Sequence, residues 1–377
     1  MIKFFQKKIP MGIDISDHSI EVLQLNKKRE IMAYGRAMLE EGIIRDGKIL
    51  KKEELVAILK DLLKNSLTYA NTSINKNNER PHVILSLPES KVFIHSFEVP
   101  LDIEGDELIK LISKKVSKII PFNLEELYWD YTITQGKESQ RVLYVGVIKE
   151  IADEYIDSMV LAGLEPKVID IESISLQRAL LPLNNEKATT MILDEVQVKD
   201  YMIVDIGARI TAISVFDDSN IPRVSVTVPM AGNQFTTHIA NKFKINYTEA
   251  EKIKRDLGFD YERKDNNAVS VLQESFQEIM EEIKHVITYY ENESGHVLKK
   301  IILTGGSALI PNVDEYVSVN LEKPVVIGDP LLHIKDKKIL DRNYHPLLFA
   351  NVIGLALRGV TDVSPRINLL SDLHHLE

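Results

Sequence analysis

Short apolar runs alternate with polar turns along this chain, and two stretches far apart repeat one pattern. Residues 11–25 read MGIDISDHSIEVLQL and residues 202–216 read MIVDIGARITAISVF. Each is an apolar run carrying one acid (Asp14, Asp205), a small residue two positions later (Ser16, Gly207), and then a second apolar-rich stretch. Both predict strand, tight turn, strand. A third strand candidate follows each, at 30–39 and 222–229, and then a helical stretch, 52–63 in the first half and 233–257 in the second. Each half then has a further buried strand, Val83–Leu87 (VILSL) and Ile301–Thr304 (IILT). One supersecondary unit is spelled twice.

A sequential three-stranded meander followed by crossovers predicts a mixed sheet covered by helices. Two such units facing one another would leave a cleft, with both acid-bearing turns opening onto it. The halves differ in their insertions. Within 90–165, a strand is expected over 91–99, then a helix carrying Leu108, Leu111, Ile112, Val116, Ile119 and Ile120 until Pro121 stops it. Strands at 127–134 and 142–148 and a helix at 150–161, ended at Gly163, complete a compact module. Residues 233–295 are mainly helical with a polar break at 264–267, and 75–80 and 184–187 read as loops. The expected subdomains are therefore 1–89 with 166–199 and 340–377, the inserted module 90–165, 200–232 with 296–339, and the helical 233–295.

Composition narrows the chemistry. At 377 residues the chain exceeds one ordinary core. Its 56 acidic against 46 basic residues give a net charge of −10, which argues against broad binding to a phosphate backbone, so no nucleic-acid partner is expected. The absence of cysteine removes disulfides, thiol nucleophiles and thiolate metal sites, and suits a reducing cytoplasm. The longest apolar run, 347–357, is interrupted by Asn351 and too short to span a bilayer. Phe4 and Phe5 among Lys3, Lys7 and Lys8 either touch a membrane surface weakly or form a frayed or strand-forming terminus, and His374 and His375 read as a loose end. No G-x-G-x-x-G, P-loop, H-E-x-x-H or G-x-S-x-G motif is present.

The two acid-bearing turns remain. A tight turn between strands aims backbone N–H groups outward and can hold a phosphate. A nearby carboxylate can hold Mg2+ through water. A third turn, Gly305-Gly306-Ser307, follows the strand at 301–304, and its glycines would let a nucleotide approach the backbone. Each turn alone reads equally as plain chain reversal; the matched pair with the third turn favours a nucleotide. Glu251 and Lys254 stand on adjacent helical turns, either facing ribose hydroxyls or forming a surface ion pair. Asp17 and Glu21 add negative charge beside the first turn, which Arg209 and His18 would offset. Binding without fast hydrolysis is the expectation.

The arrangement resembles the actin superfamily, which includes actin, the sugar kinases and the FtsA and PilM families. That resemblance implies an α/β, actin-like (ribonuclease H-like) fold with duplicated mixed sheets in two lobes around a nucleotide cleft and an inserted α+β module in the first lobe. It assigns Gly12, Asp14, Ser16, Asp17 and His18 to a first phosphate turn, and Asp205, Gly207, Ala208 and Arg209 to a second. Gly305, Gly306 and Ser307 become an adenosine turn, Glu251 and Lys254 ribose contacts, and Asp14 and Asp205 Mg2+ carboxylates acting through water. The stretches 171–180 and 351–359 look like hinge segments, and there Glu172 either orients an attacking water or caps a helix.

The wording of 119–133 (IIPFNLEELYWDYTI) and 163–180 (GLEPKVIDIESISLQRAL) is similar to the PilM family, and the likeness runs from Gly12 to Leu370. The FtsA family, whose members usually end in a membrane-binding amphipathic helix, is the alternative and would make this a filament-forming division protein; the ending SPRINLLSDLHHLE is no such helix. A sugar-kinase phosphotransferase would need a substrate-pocket signature that 90–165 lacks. The PilM resemblance implies a cytoplasmic ATP- and Mg2+-binding scaffold at the inner face of the inner membrane. Its groove, between the inserted module and the first lobe, would hold the N-terminal tail of the inner-membrane protein PilN, with PilO and other pilus assembly proteins reached indirectly and membrane contact made through these partners. The family carries glycine, serines and then a lysine in the first turn, where this chain has Ser16, Asp17, His18 and Glu21, so turnover would be weak or absent. PilN tails carry an Ile-Asn-Leu-Leu-type segment, and this chain has Ile367-Asn368-Leu369-Leu370. That segment is expected either to fill the partner groove of its own or a neighbouring copy, giving self-association, or to pack nearby as a final strand.

Overall fold

The computed structural model describes residues 9–69, 80–183, 199–217, 220–260, 267–335, 344–362 and 365–371. Most of the two expected loops and of the polar break, together with Phe4, Phe5, His374 and His375, lies outside the described residues. The chain divides into two units, Met1–Asn185 with Pro330–Glu377, and Glu186–Asp329.

The first unit begins with β1 (Met11–Ile15), β2 (Ser19–Leu25) and β3 (Ile31–Met38), then a small hairpin of β4 (Ile44–Arg45) and β5 (Lys48–Ile49). Next come α1 (Lys52–Asp61), β6 (Thr68–Tyr69) and β7 (His82–Leu87). The inserted stretch supplies β8 (Val92–Pro100), α2 (Gly105–Val116), β9 (Leu127–Gln135), β10 (Ser139–Ile148) and α3 (Lys149–Leu161). β11 (Glu165–Ile171) and α4 (Glu172–Leu180) follow. The second unit holds β12 (Tyr201–Ile206), β13 (Thr211–Phe216), β14 (Pro222–Val228), α5 (Gly232–Phe243), α6 (Tyr247–Leu257), α7 (Asn267–Ser294), β15 (Lys300–Thr304), α8 (Val313–Leu321) and β16 (Val325–Ile327). α9 (Ala350–Arg358) belongs to the first unit again.

The sequence repeat is a repeat of topology. The first sheet runs β11-β7-β1-β2-β3-β6 and the second β16-β15-β12-β13-β14. In both, the meander pairs antiparallel and the two crossover strands add in parallel on the other side of the first strand. The central strands are apolar on both faces, as burial under helices requires. Equivalent positions differ in one respect: Asp14 faces Glu21 across β1–β2, whereas Asp205 faces Ala212 across β12–β13.

The inserted module is a three-stranded antiparallel sheet, β8-β10-β9, with α2 on one face. Leu108, Ile112 and Val116 of α2 pack with Val99, Val142 and Tyr144, and Trp129 and Tyr131 border them. The helix ends at Val116, short of the expected Pro121, because its last turn tightens, with Lys118 N donating to the Lys115 carbonyl (3.3 Å) and Ile119 N to that of Val116 (2.9 Å), each three residues back. The amides of Ile119 and Ile120 still donate to the Val116 carbonyl, which keeps Ile120 in the core and leaves Ile119 exposed. The expected helical stretch 233–257 is likewise two helices. Lys244 takes left-handed backbone at the end of α5, and the Asn246 side chain accepts from Glu249 N to start α6.

A buried ion cluster joins β11, α4 and α9. Asp170 lies 3.1 Å from Arg178 and 2.8 Å from Arg358, and all three side chains are buried. Arg178 also donates to the Gly354 carbonyl (2.9 Å). Burial alone would raise the Asp170 carboxyl; the two guanidiniums hold it below the usual carboxylate range. Removing one charge from such a cluster strands the others without water. Asp170→Asn should therefore cost about 3–5 kcal/mol of stability, measured by urea unfolding at neutral pH. A loss within 0.5 kcal/mol or so would mean the cluster bears little on the fold.

Candidate functional site

The turn between β1 and β2 is closed from within. Ser16 N donates to the Ser19 carbonyl (2.9 Å), and Ser16 Oγ accepts from His18 N (3.3 Å) and Ser19 N (3.1 Å). Three amides that a phosphate could use are thus engaged inside the turn. The His18 carbonyl accepts from Leu39 N (2.8 Å). The Asp17 carboxylate accepts from Asp46 N (2.6 Å) and Gly47 N (2.9 Å), the two left-handed residues at the tip of the β4–β5 hairpin. The charge read from the sequence as standing against phosphate is therefore bound to two amides. Tyr155 of α3 donates to the Gly47 carbonyl (3.1 Å) and ties this hairpin to the inserted stretch.

Gly12 is buried, and a Cβ there would lie 2.7 Å from the Val352 carbonyl and 2.9 Å from Ala356 N of α9. Its glycine is demanded by the approach of β1 to α9. Asp14 and Glu21 face each other across the strands. Burial first, and for Glu21 the Asp14 charge next, push Asp14 up to about 6 and Glu21 to about 8. Arg36 opposes this, its Nε donating to Glu21 at 2.6 Å, and offsets one charge of the two. Glu172 accepts from Glu89 N (2.9 Å) while Glu89 accepts from Ser173 N (3.3 Å), a reciprocal capping exchange at the start of α4.

In the second unit, predicted residues from three separate stretches meet around Gly232, the first residue of α5. Gly232 N donates to the Gly207 carbonyl (3.2 Å), and Asn233 N to the Ala208 carbonyl (2.7 Å). Ser307 Oγ donates to the same Gly207 carbonyl (2.9 Å). Any Cβ on Gly232 would run into Ser307 Oγ. Gly305 adopts φ +84, and a Cβ on it would collide with the Asp205 carboxylate. Gly306, beside it, is exposed. The Arg209 carbonyl accepts from Gln234 Nε2 (3.4 Å), which fixes the far side of the turn.

Lys254 sits beneath this assembly. Its ammonium donates to the Gly232 carbonyl (2.9 Å) and Thr236 Oγ1 (2.8 Å) and lies 2.7 Å from Glu251 Oε2. An ammonium has three N–H donors, so this set uses them all. The side chain is buried, and burial lowers its pKa. Glu251 also accepts from Thr236 (2.5 Å) and Arg255 (2.7 Å). Burial would raise Glu251, but these donors bring it from 4.5 to about 2. Gly232 and Thr236 were missed from the sequence; the Ala231-Gly232 pair ahead of a helical pattern was the signal.

Among the described residues, no group of three or more His, Asp or Glu side chains forms a metal cage, and no helix is long and apolar enough to cross a membrane. A cation here would need oxygens from a ligand and from water to complete its shell, which fits a site of single carboxylates at strand ends. In the second unit Asp205 is such a carboxylate; in the first, Asp14 shares its place with Glu21.

Two pH effects follow, with opposite signs. A carboxyl raised by folding stabilises fully below its unfolded value, and that contribution disappears as pH rises through the folded one. For Glu21 the window runs from about 4.5 to about 8. Glu21→Gln should flatten the decline in urea midpoint across it; an unchanged slope would count against the paired carboxyls. A depressed carboxyl stabilises above its unfolded value and loses that as pH falls through the folded one. For Glu251 the loss lies between 4.5 and about 2, and Glu251→Gln should remove that part of the acid transition. An identical acid limb in the variant would refute the network.

The chain resembles known proteins over nearly its whole length. The sequence pattern of the type IV pilus assembly protein PilM family matches residues 12–360. A solved PilM–PilN type IV pilus biogenesis complex aligns with a TM-score of 0.76 at 18% identity, covering 94% of this chain and 99% of that one. The ethanolamine utilization protein EutJ of Carboxydothermus hydrogenoformans gives 0.54 at 17%, covering 92% and 89%. MreB5 of Spiroplasma citri bound to ADP gives 0.50 at 15%, covering 92% and 95%. These likenesses establish the actin-like fold. With a family match spanning most of its length, the chain belongs to the type IV pilus assembly protein PilM family.

Proposed function

We propose that this protein is an ATP-binding scaffold of type IV pilus, or related secretion or competence, assembly that receives the N-terminal segment of PilN at the inner face of the inner membrane. The observation that carries the nucleotide part is the convergence of Gly207, Ala208, Ser307, Lys254 and Glu251 on Gly232. Turns built from Gly207 and Gly305–Ser307 would take the phosphates and adenosine, and Asp205 and Asp14 would each meet Mg2+ through water. Bound Mg2+ would supply charge neutralisation for the phosphates. Lys254 acts as the strut that fixes α5 against the ligand turns, since its donors are already filled. Slow turnover is the expectation, because Glu172 is committed to capping at Glu89 N and the first turn engages its Ser16, His18 and Ser19 amides internally.

The partner part rests on family membership and on the PilN seen with the related PilM. PilN would link the scaffold to PilO and to the membrane. Calorimetric titration should show ATP affinity reduced at least tenfold, about 1.4 kcal/mol, in Asp205→Ala and in Asp14→Ala. Unaltered affinity in both would remove the site assignment, and failure to retain a PilN N-terminal peptide in a pull-down would remove the partner.

A further inference from the structure

β11 is an edge strand, and an edge strand presents unpaired backbone groups that another extended segment can take up. Here the chain itself takes them up. Ile169 N donates to Asn368 Oδ1 (3.1 Å), and the Ile169 carbonyl accepts from Leu369 N (3.0 Å). The Asn368 side chain therefore replaces a backbone carbonyl in a ladder-like exchange with one edge residue. Asn368 N donates to the Asp130 carboxylate of β9 (2.8 Å), and Asn368 Oδ1 also accepts from Leu370 N (3.1 Å). Ile367 and Leu369 are fully buried and Leu370 nearly so, while Arg366 is exposed. Asp130 shares a sheet face with Ile94 and Val145, so the segment lies where the edge of the large sheet meets an apolar face of the inserted module.

That geometry is how a sheet edge receives a short peptide: backbone bonds set the register and alternate apolar side chains fill pockets. We infer that the β11 edge with Asp130 is a peptide-docking groove, that Ile367-Asn368-Leu369-Leu370 is its resident occupant in cis, and that a partner's extended segment of the same apolar–Asn–apolar–apolar chemistry binds by displacing it. Identifying that partner with the PilN segment rests on the reading above; the groove and its occupant do not. The occupant acts as a gate, because affinity for any incoming peptide is scaled down by the fraction of grooves that stand open.

The test uses the full chain and a fluorescein-labelled peptide of its own sequence PRINLLS. In Asn368→Ala/Leu369→Asp the internal occupant is weakened, and the probe should bind at least about tenfold tighter than to the wild type. Adding Asp130→Ala should reverse that gain. Equal binding by wild type and opened variant, or none by either, overturns the proposal. Should the variant fail to fold, hydrogen exchange on the wild type decides. Excess probe should speed exchange at residues 365–371 and leave 167–170 slow, whereas an unaltered 365–371 overturns the gate. A wild-type dimer that the double substitution dissolves would place the segment in a neighbouring copy and overturn occupancy in cis. Probe binding to the opened variant without PilN-peptide binding supports the groove while removing PilN. PilN-peptide binding that is equal in wild type and variant overturns the gate while leaving PilN in place.

Discussion

The first unit is organised around a carboxylate that water does not reach. Asp170 stands one residue before the end of β11, and the guanidiniums of Arg178 and Arg358 reach it from α4 and α9. Relative to apolar packing such a cluster adds little net stability, but it fixes direction, since each charge accepts few alternative partners. The crossing of α4 and α9 is equally restricted: a Cβ on Gly354 would collide with the Ser175 carbonyl, and Ser175 Oγ donates to the Asn351 carbonyl (2.7 Å). One residue earlier, Ile169 turns both its backbone groups to the 367–370 segment. The position of the sheet edge, and whatever docks there, follows from the charges beside it.

The second unit solves the same topological problem by other means. Its first turn shares the internal bond (Gly207 N to the Ile210 carbonyl, 3.1 Å), and its backbone carbonyls take the amides of Gly232 and Asn233 and the hydroxyl of Ser307. In the first unit, Ser16 and Asp17 of the turn itself supply the acceptors. Duplicated strand order thus leaves freedom in how each bend is held, through side-chain oxygens in one unit and through backbone carbonyls in the other.

Much of this was legible in the sequence because strand alternation and the repeated acid depend on local spacing. The meander, both acid-bearing turns and the module's secondary structure all follow from period and punctuation. Opposition of Asp14 and Glu21 was implicit too, since a hairpin pairing Ile15 with Ile20 places the two acids next. What stayed hidden was long-range. Nothing near Asp17 in the chain points to Asp46 and Gly47, and nothing near Gly12 points to Val352. Lys254 illustrates the limit: its spacing from Glu251 revealed the pair, while its burial against Gly232 depended on a helix not yet placed. The break at Lys244 was missed because a helical pattern runs on through a left-handed residue without losing its apolar beat.

Asp17 carries a constraint on how this protein can change. A smaller or positive residue at that position would suit a nearby anion better. Yet Asp46 and Gly47, held in left-handed backbone, would each lose their acceptor, and the Tyr155 contact with α3 hangs on the same loop. Evolution toward a more anion-friendly bend would therefore require a compensating change some thirty residues downstream in the same lineage, so the two positions are expected to drift together rather than singly.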